Sequence, residues 1–326
     1  MAFLDGQTLA DIGEFGLIAR ISAILGERGA PGALEVGPGD DAAVIVLGED
    51  PRVVATTDML VEDRHFRRDW SSAYHIGRKA AAQNLADLEA MGARPVALLV
   101  GFGAPGTTQV RWAEDVARGL ADEAAQAGAS VAGGDTVGSE RVTISVTAFG
   151  ALDGRVPVTR AGARPGDVVR VAGRLGWSAA GLALLQHGDP VLIERHAGLV
   201  DFHRSPQPPY GAGRLAAEAG ATAMIDVSDG LAADLQHVLD ASGVGAEVDL
   251  SGWADDVLAA AAADLGVTSD AWQRTGGEEH ALVVVAPPAA TGVPGRAIGR
   301  IVDGSVIVWA DGAALRSGFD HFGGST

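Results

Sequence analysis

The chain reads SAYHIGRKAAAQNLADLEAMGARPVALLVGF from Ser72 to Phe102, and this stretch decides the fold class. Its first part is rich in alanine and contains no proline, which predicts a long helix entered through a Ser72 cap and ended at Gly92. The apolar run PVALLVGF, residues 95–102, predicts a buried strand directly after that helix. A helix followed at once by a buried strand is typical of an α/β protein.

The same alternation extends in both directions. Apolar spacing predicts an amphipathic helix at about residues 14–25 and strands at 42–47 and 52–58. Further helix and strand signals continue to residue 150, and a second series begins at residue 167. We therefore expect an α/β fold with mixed (α+β) sheets in both halves.

A domain boundary is predicted where this periodicity lapses, in the Gly-, Pro- and Arg-rich segment of residues 151–166. The predicted domains are residues 1–150 and residues 151–326. The chain has 326 residues, of which 47% are hydrophobic, which is enough for two separate cores. Neither half has GxGxxG after its first strand, so a Rossmann domain is unsupported.

The composition excludes some classes of partner. The formal net charge is −18, which would repel nucleic acid and anionic membranes because both are polyanions. The N-terminal sequence has no basic segment followed by a long apolar one, and no run of about 18 apolar residues occurs later. We expect a cytoplasmic protein that binds neither nucleic acid nor membrane. The absence of cysteine rules out disulfides and thiolate-bound zinc.

Short carboxylate clusters are the main chemical signal. They are GPGDDAA around Asp40 and Asp41, TTDML around Asp58, NLADLEAMGA around Asp87, GGDT around Asp135, and IDVSDG around Asp226 and Asp229. Carboxylate oxygens on tight turns are suitable ligands for a hard divalent cation, although turn formation or capping also explains each cluster taken alone. The P-loop pattern GxxxxGK[ST] is absent, so nucleotide chemistry in this chain would depend on metal ions.

Two of these clusters are expected at strand ends. Asp58 should close its strand, with oxygens of Thr56 and Thr57 beside it. The two glycines of GGDT, residues 133–136, would let the backbone approach a phosphate, and the alternative is an ordinary strand-to-loop turn.

The helix around Asp87 carries a polar stripe. Lys79, Gln83 and Asp87 are four residues apart, and Asn84 lies between them. The stripe could face water, but Ala, Leu and Met at most other positions favour a cleft.

The segment IDVSDGLAADL is the sharpest local signal. Asp226 ends an apolar strand, alternation points Asp226 and Ser228 the same way, and Asp229 stands at the start of a helix that could receive a phosphate. The segment TGGEEHAL places Glu278 and Glu279 on a Gly-Gly turn. A structural role for His280 is favoured over a catalytic one, and neither HExxH nor GxSxG occurs.

Taken in order, several motifs resemble those of the thiamine-monophosphate kinase family, in the aminoimidazole ribonucleotide synthetase superfamily. They are GEFGLI, GPGDDAA, TTDMLVEDRHF, KAAAQNLADLEAMGARP, GGDT, TRAGARPGD, IDVSDGL, GGEEHAL and GFDHF, which together span Gly13 to Phe322. The resemblance implies a two-domain PurM-like fold in a homodimer whose N-terminal domains pair through their sheets. It implies that residues 1–150 bind ATP and Mg²⁺ and form the dimer, and that residues 151–326 complete the active site. It also implies transfer of phosphate from ATP to thiamine monophosphate, with several Mg²⁺ ions, giving thiamine diphosphate.

The resemblance also implies roles for individual residues. The implied Mg²⁺ ligands are Asp40, Thr56, Thr57, Asp58, Asp87, Asp135, Asp226 and Asp229. The implied ATP contacts are Gly134, Asp135, Arg160 and Ser228, and the implied substrate contacts are His65, Glu278 and Phe319. No residue is expected to act as a general base, because the attacking phosphate of the substrate is largely ionised at neutral pH, with a second pKa of about 6.

Departures from the family pattern are few. Glu279 and His280 replace the usual Asp-Tyr, and Asp63 stands where a small residue is common. The alternatives are another ATP-dependent enzyme of the superfamily, a hydrogenase-maturation relative, or a metal-binding structural protein. Selenophosphate synthetases and the maturation proteins usually depend on a reactive or C-terminal cysteine, and this chain has none.

Overall fold

The computed structural model describes residues 7–26, 34–36, 44–45 and 47–312. These residues form two compact units. The first extends to Leu88 and resumes over Arg94–Gly154, and the second consists of Glu89–Ala93 and the chain from Arg155 onward. Both units are mixed α/β, which confirms the predicted class. The assignment of separate functions to residues 1–150 and 151–326 stays a prediction.

The first unit is built around one sheet. Its elements are α1 (Leu9–Gly26), β1 (Leu34–Val36), β2 (Val44–Ile45), β3 (Val53–Val61), α2 (Ala73–Ala90, whose last two residues belong to the second unit), β4 (Arg94–Ala104), α3 (Val110–Gln126), β5 (Ser130–Gly138) and β6 (Thr143–Ala151). The strand order is β3-β6-β4-β5. β6 is antiparallel to both its neighbours, whereas α3 carries the chain from β4 to its parallel neighbour β5.

One face of this sheet is packed and the other is open. Along β6, buried residues alternate with half-buried ones, as expected for a strand with one covered face. On the open side, Val53, Met59 and Val137 are 48%, 52% and 58% exposed. The first unit therefore presents exposed apolar side chains, beside polar ones such as Thr57 and Asp135, on the sheet face opposite its core.

The two helices α2 and α3 cross at a pair of glycines. A Cβ on Gly77 would lie 2.1 Å from the carbonyl oxygen of Val116, and one on Gly119 would lie 2.0 Å from that of Tyr74. Only glycine allows the backbones to approach this closely. This contact fixes the position of α2, which carries the polar stripe.

The second unit contains a larger sheet. Its elements are β7 (Val168–Ala172), α4 (Trp177–His187), α5 (Pro190–Arg195), α6 (Ala197–Arg204), α7 (Ala212–Glu218), β8 (Ala223–Asp226), α8 (Leu231–Ser242), β9 (Gly245–Val248), α9 (Asp256–Leu265), α10 (Asp270–Thr275), β10 (Leu282–Ala286), β11 (Arg296–Val302) and β12 (Ile307–Trp309). The strand order is β12-β9-β11-β7-β10-β8, with only the β12–β9 pair parallel among these neighbours. The apolar side chains of α8 pack with the strands in one buried cluster.

Most predicted elements are confirmed, and the exceptions have clear causes. The helix predicted from Ser72 is α2, and the Ser72 hydroxyl accepts from the His75 N–H at 3.3 Å. The short helices α5, α6 and α10 were not expected. The signal for α5 was present, since Asp189 caps it and Pro190 occupies its first turn.

Two predicted strand ends are wrong. Asp58 does not close β3, which continues to Val61, and GGDT lies within β5 rather than in a turn. No helix among the described residues is long and apolar enough to cross a membrane.

Candidate functional site

In the first unit, the polar stripe of α2 packs against β3. The Thr56 hydroxyl donates to the Asp87 carboxylate at 2.6 Å, and the Asp58 N–H donates to the Asn84 side-chain oxygen at 2.9 Å. The Asn84 amide in turn donates to the Ala80 carbonyl at 3.0 Å. We call Thr56, Asp58, Asn84 and Asp87 the strand–helix group. Because Asn84 is fully buried, the alternative in which the stripe faces water is wrong.

His65 lies near the start of this helix. The buried Lys79 ammonium donates to the His65 carbonyl at 3.3 Å, while His65 Nδ1 accepts from the Val61 N–H at 3.0 Å. An accepting Nδ1 places the proton of a neutral imidazole on Nε2. The ring is thus held in one orientation by its own loop.

Two predicted ligands do not join the strand–helix group. The Thr57 hydroxyl donates to the Val146 carbonyl at 3.0 Å and accepts from Thr147 at 3.1 Å. Asp135 is exposed on β5, at the opposite edge of the sheet from β3. Three strand spacings separate these edges, roughly 14 Å, so Asp58 and Asp135 are too far apart to share the ligand shell of one ion within this unit.

Gly134 has a structural explanation. A Cβ at this position would lie 2.0 Å from the carbonyl oxygen of Val100 in β4. Close approach of a neighbouring strand therefore requires glycine here, and the contact of Gly134 with a phosphate stays a prediction.

In the second unit, two loops lie side by side. We call residues 226–230, between β8 and α8, the aspartate loop, and residues 276–281, between α10 and β10, the glutamate loop. The Glu278 N–H donates to the Ser228 carbonyl at 2.7 Å, and the His280 N–H donates to the Val227 carbonyl at 2.8 Å. These backbone bonds hold the two predicted motifs together.

Asp226 and His280 form a buried pair. The Asp226 carboxylate lies 3.2 Å from His280 Nδ1, and both side chains are almost fully buried. The structural role expected for His280 has a definite form here, since the imidazole orients a carboxylate predicted to bind metal.

Asp234 is a residue that sequence reasoning missed. Its carboxylate accepts from the N–H groups of Asp229 and Gly230, both at 3.0 Å, and so caps the start of α8. Burial, followed by the negative charge of Asp226, raises the pKa of Asp234 to about 7. An acidic residue soon after Ser-Asp-Gly resembles a capping box, which is the signal that could have identified it.

Glu279 has the same function in the glutamate loop. Its buried carboxylate accepts from the N–H groups of Trp177, Ser178 and Ala179 at 3.2, 2.9 and 3.3 Å, at the start of α4. Burial raises the pKa of Glu279 to about 8, and these hydrogen bonds oppose that increase. The residues on either side, Glu278 and His280, have φ values of 60° and 50°, so Glu279 anchors a strained turn.

Glu278 itself points towards a second histidine. Its carboxylate, 34% exposed, lies 3.6 Å from Nδ1 of His203, and that nitrogen is 3.0 Å from the Ser178 hydroxyl. The carboxylate is accessible enough to contact a ligand.

The other predicted site residues of the second unit are more exposed. Ser228 and Asp229 are half-buried in the aspartate loop, and Arg160 is exposed. Arg160 follows Thr159, whose carbonyl accepts from the Met224 N–H of β8 at 3.1 Å. The predicted sites at Asp40, Asp41 and Phe319 lie outside the described residues.

The donor set suits Mg²⁺. Within the described ranges, no three Asp, Glu or His side chains converge in a ready-made metal cage. However, the carboxylates of Asp226 and Asp229 are close enough to Asp234 to raise its pKa, and a cation would relieve this repulsion. Carboxylate and hydroxyl oxygens are hard ligands, and Mg²⁺ is usually bound by a few of them together with substrate phosphates.

Comparison with known proteins identifies relatives of both halves of the chain. Residues 39–152 match the family of AIR synthase related protein, N-terminal domain, and residues 164–308 match the AIR synthase related protein, C-terminal domain. Thiamine-monophosphate kinase of Mycobacterium tuberculosis (strain ATCC 25618 / H37Rv) is 49% identical over 98% of this chain and 94% of its own length. That of Escherichia coli (strain K12) is 34% identical over 89% and 87%.

Solved structures give the same result. The crystal structure of thiamine-monophosphate kinase from Stenotrophomonas maltophilia K279a has a TM-score of 0.81 and 32% identity, covering 93% of this chain and 98% of that one. The structure of AaThiL complexed with AMPPCP and TMP has a TM-score of 0.77 and 28% identity, covering 97% and 99%. The chain therefore belongs to the thiamine-monophosphate kinase family, among the AIR synthase related proteins.

Proposed function

We propose that this chain transfers the γ-phosphate of ATP to thiamine monophosphate, giving thiamine diphosphate and ADP. The observation that carries the proposal is the 49% identity to a thiamine-monophosphate kinase over nearly the whole chain, through both compact units. The carboxylate-rich donor sets in both units are chemically consistent with it.

The main obstacle to this reaction is charge. Two phosphorylated molecules must meet in a protein of net charge −18, so neutralisation and positioning matter more than proton transfer. When bound, Mg²⁺ would neutralise phosphate oxygens and orient them for in-line attack. The residues proposed to hold several such ions are Asp40, Thr56, Thr57, Asp58, Asp87, Asp135, Asp226 and Asp229, with Asp58 and Asp135 of one chain on different ions.

The chain's own residues supply binding and orientation. Gly134, Asp135, Arg160 and Ser228 are proposed to contact ATP. His65, Glu278 and Phe319 are proposed to contact thiamine monophosphate, whose positively charged thiazolium ring suits the accessible carboxylate of Glu278. No side chain has to act as a general base, because the attacking phosphate oxygen is already ionised.

We also propose a homodimer that pairs through the open sheet face of the first unit, in the cytoplasm, where ATP is available. Exposed apolar residues on that face, including Met59 and Val137, support this assembly.

Sedimentation should show a dimer that Met59→Asp converts to a monomer. Val191→Asp, at an exposed valine on α5, should stay dimeric, and a wild-type monomer would contradict the proposal.

The activity is tested by incubating the pure protein with ATP, Mg²⁺ and thiamine monophosphate and separating the products by chromatography. Thiamine diphosphate and ADP should form in equal amounts, whereas thiamine without phosphate should give no product. Product from a different phosphorylated acceptor, with none from thiamine monophosphate, would overturn the assignment.

A further inference from the structure

The second unit contains a cavity whose wall includes none of the predicted site residues. Its volume is about 530 Å³, within the range of sites for small organic ligands. Its wall includes Arg174, Phe202, Gln207, Trp253, Asp255 and Arg296. We call it the basic pocket.

Both arginines of the basic pocket lie over indole rings. The guanidinium of Arg174 is 3.7 Å from the ring centroid of Trp177, and that of Arg296 is 5.5 Å from the ring centroid of Trp253. Stacking restricts the rotamers of each guanidinium while leaving its N–H donors at the edge. The two guanidinium groups are thus partly ordered before any ligand binds.

These arginines also differ from the other stacked arginines in their ion pairing. Arg274 lies over Trp309 but is also paired with Asp311 at 2.8 Å. Over the described part of the chain, neither Arg174 nor Arg296 forms a salt bridge. This is unexpected in a chain with 42 acidic and 24 basic residues, where carboxylate partners are abundant.

The one carboxylate in the wall is already engaged. One Asp255 oxygen accepts from the Trp177 indole N–H at 2.7 Å, and the other accepts from the N–H groups of Val257 and Leu258 at 3.0 and 3.2 Å. Asp255 therefore anchors the indole on which Arg174 stacks and caps α9. Within the described residues it forms no salt bridge with Arg174 or Arg296, so its negative charge reduces but does not cancel the combined charge of the two arginines.

We propose that the basic pocket binds the phosphate or diphosphate group of a small organic ester. Guanidinium forks match phosphate oxygens in geometry and charge, and they lose hydration more easily than an ammonium group. The cavity is large enough for an organic part, which would lie against Phe202 and Trp253. This site is additional to the proposed reaction and does not depend on it.

The experiment uses the fluorescence of Trp177 and Trp253, the indoles against which the two pocket arginines stack, as the reporter. Inorganic pyrophosphate is titrated into the full-length protein in EDTA, without Mg²⁺, so that metal-dependent phosphate binding is suppressed. We expect saturable quenching of tryptophan fluorescence. Arg174→Gln and Arg296→Gln should each raise the Kd at least tenfold, whereas Arg67→Gln, which removes a guanidinium stacked on Trp70 outside the pocket, should leave it unchanged.

Paired ligands then identify the source of the phosphate. Thiamine monophosphate is compared with thiamine, and AMP with adenosine, in the wild type and in the double variant Arg174→Gln/Arg296→Gln. Tighter binding of either phosphate ester than of its unphosphorylated partner, lost in the double variant, supports the proposal and names the ligand class. Absence of saturable binding, equal binding of the unphosphorylated compounds, or unchanged binding in the double variant would overturn it.

Synthesis of thiamine diphosphate is measured on the same preparations. Its presence without pyrophosphate binding would reject only the basic pocket, and binding without synthesis would reject only the proposed reaction.

Discussion

The strand–helix group of the first unit and the paired loops of the second unit hold their carboxylates in different ways. Asp58 and Asp87 project from a regular strand and a regular helix, and each is only half-buried. The loops instead depend on acids that are buried and accept backbone N–H bonds at helix starts, such as Asp234 and Glu279. We infer that the half-buried carboxylates of the strand–helix group can be removed at little cost to the fold, whereas the buried acids that cap helix starts cannot.

Glu89 extends the pattern in the second unit. Its carboxylate accepts from the N–H groups of Gly211 and Gly213, both at 2.8 Å, at the start of α7. Burial raises its pKa, as it does for Asp234 and Glu279. Acidic residues in this unit therefore serve two purposes. The backbone N–H bonds accepted by Glu89, Asp234 and Glu279 mark the structural acids, whereas burial alone does not, since the predicted metal ligand Asp226 is also buried.

The largest effect is expected from Asp87→Ala in the strand–helix group. Loss of a group that positions charge should lower the rate of thiamine diphosphate synthesis on the order of 10³-fold. Thermal unfolding should shift by only a few degrees, since Asp87 is half-buried and a hydrogen bond such as the one from Thr56 contributes modestly to stability. Asp115→Ala, at a half-buried acid on α3 that pairs with Arg118, is the control and should leave the rate unchanged. Near-normal activity of Asp87→Ala would contradict a role of the strand–helix group in the reaction.

Glu279→Ala should mainly lower the stability of the fold. It leaves the N–H groups of Trp177, Ser178 and Ala179 without an acceptor and releases a strained turn, so unfolding in urea should require about 3 kcal/mol less. The control is Asp256→Ala, an exposed acid in the first turn of α9. An unchanged urea midpoint for Glu279→Ala would show that the cap does not hold the loop.

How much of this the sequence predicts depends on the distance between the residues involved. The α2 helix, the β4 strand and the polar stripe follow from local periodicity, and all three are observed. The continuation of β3 through Asp58 was missed because it depends on pairing with β6, where Asp58 lies opposite Val146, far along the chain. The cap formed by Glu279 on Ser178 joins residues 101 positions apart, so no local motif could reveal it.

The dependence of stability on pH also tests the buried acids. The pKa of Asp234 is about 7 in the folded protein, against about 3.9 for an unfolded Asp. Between these values the native state binds more protons, so the free energy of unfolding should fall as pH rises from about 4 to 7, by up to about 1.4 kcal/mol per pH unit. In EDTA, Asp234→Asn should flatten this part of the curve. Parallel curves for wild type and variant would contradict the shifted pKa.

A smaller effect is expected at His280. Removing its contact with Asp226 in His280→Ala should raise the Mg²⁺ concentration needed for half-maximal activity about tenfold. His237→Ala, on the exterior of α8, should behave as wild type. An unchanged Mg²⁺ requirement in His280→Ala would mean that Asp226 is held by the backbone alone.

The most direct test of the account is the initial rate of thiamine diphosphate synthesis as Mg²⁺ is raised at fixed ATP. If the carboxylates of the chain hold metal of their own, the rate should keep rising after Mg²⁺ exceeds ATP, because further ions must occupy the protein. A rate that reaches its plateau at one Mg²⁺ per ATP would contradict the claim that these carboxylates bind the metal ions of the reaction.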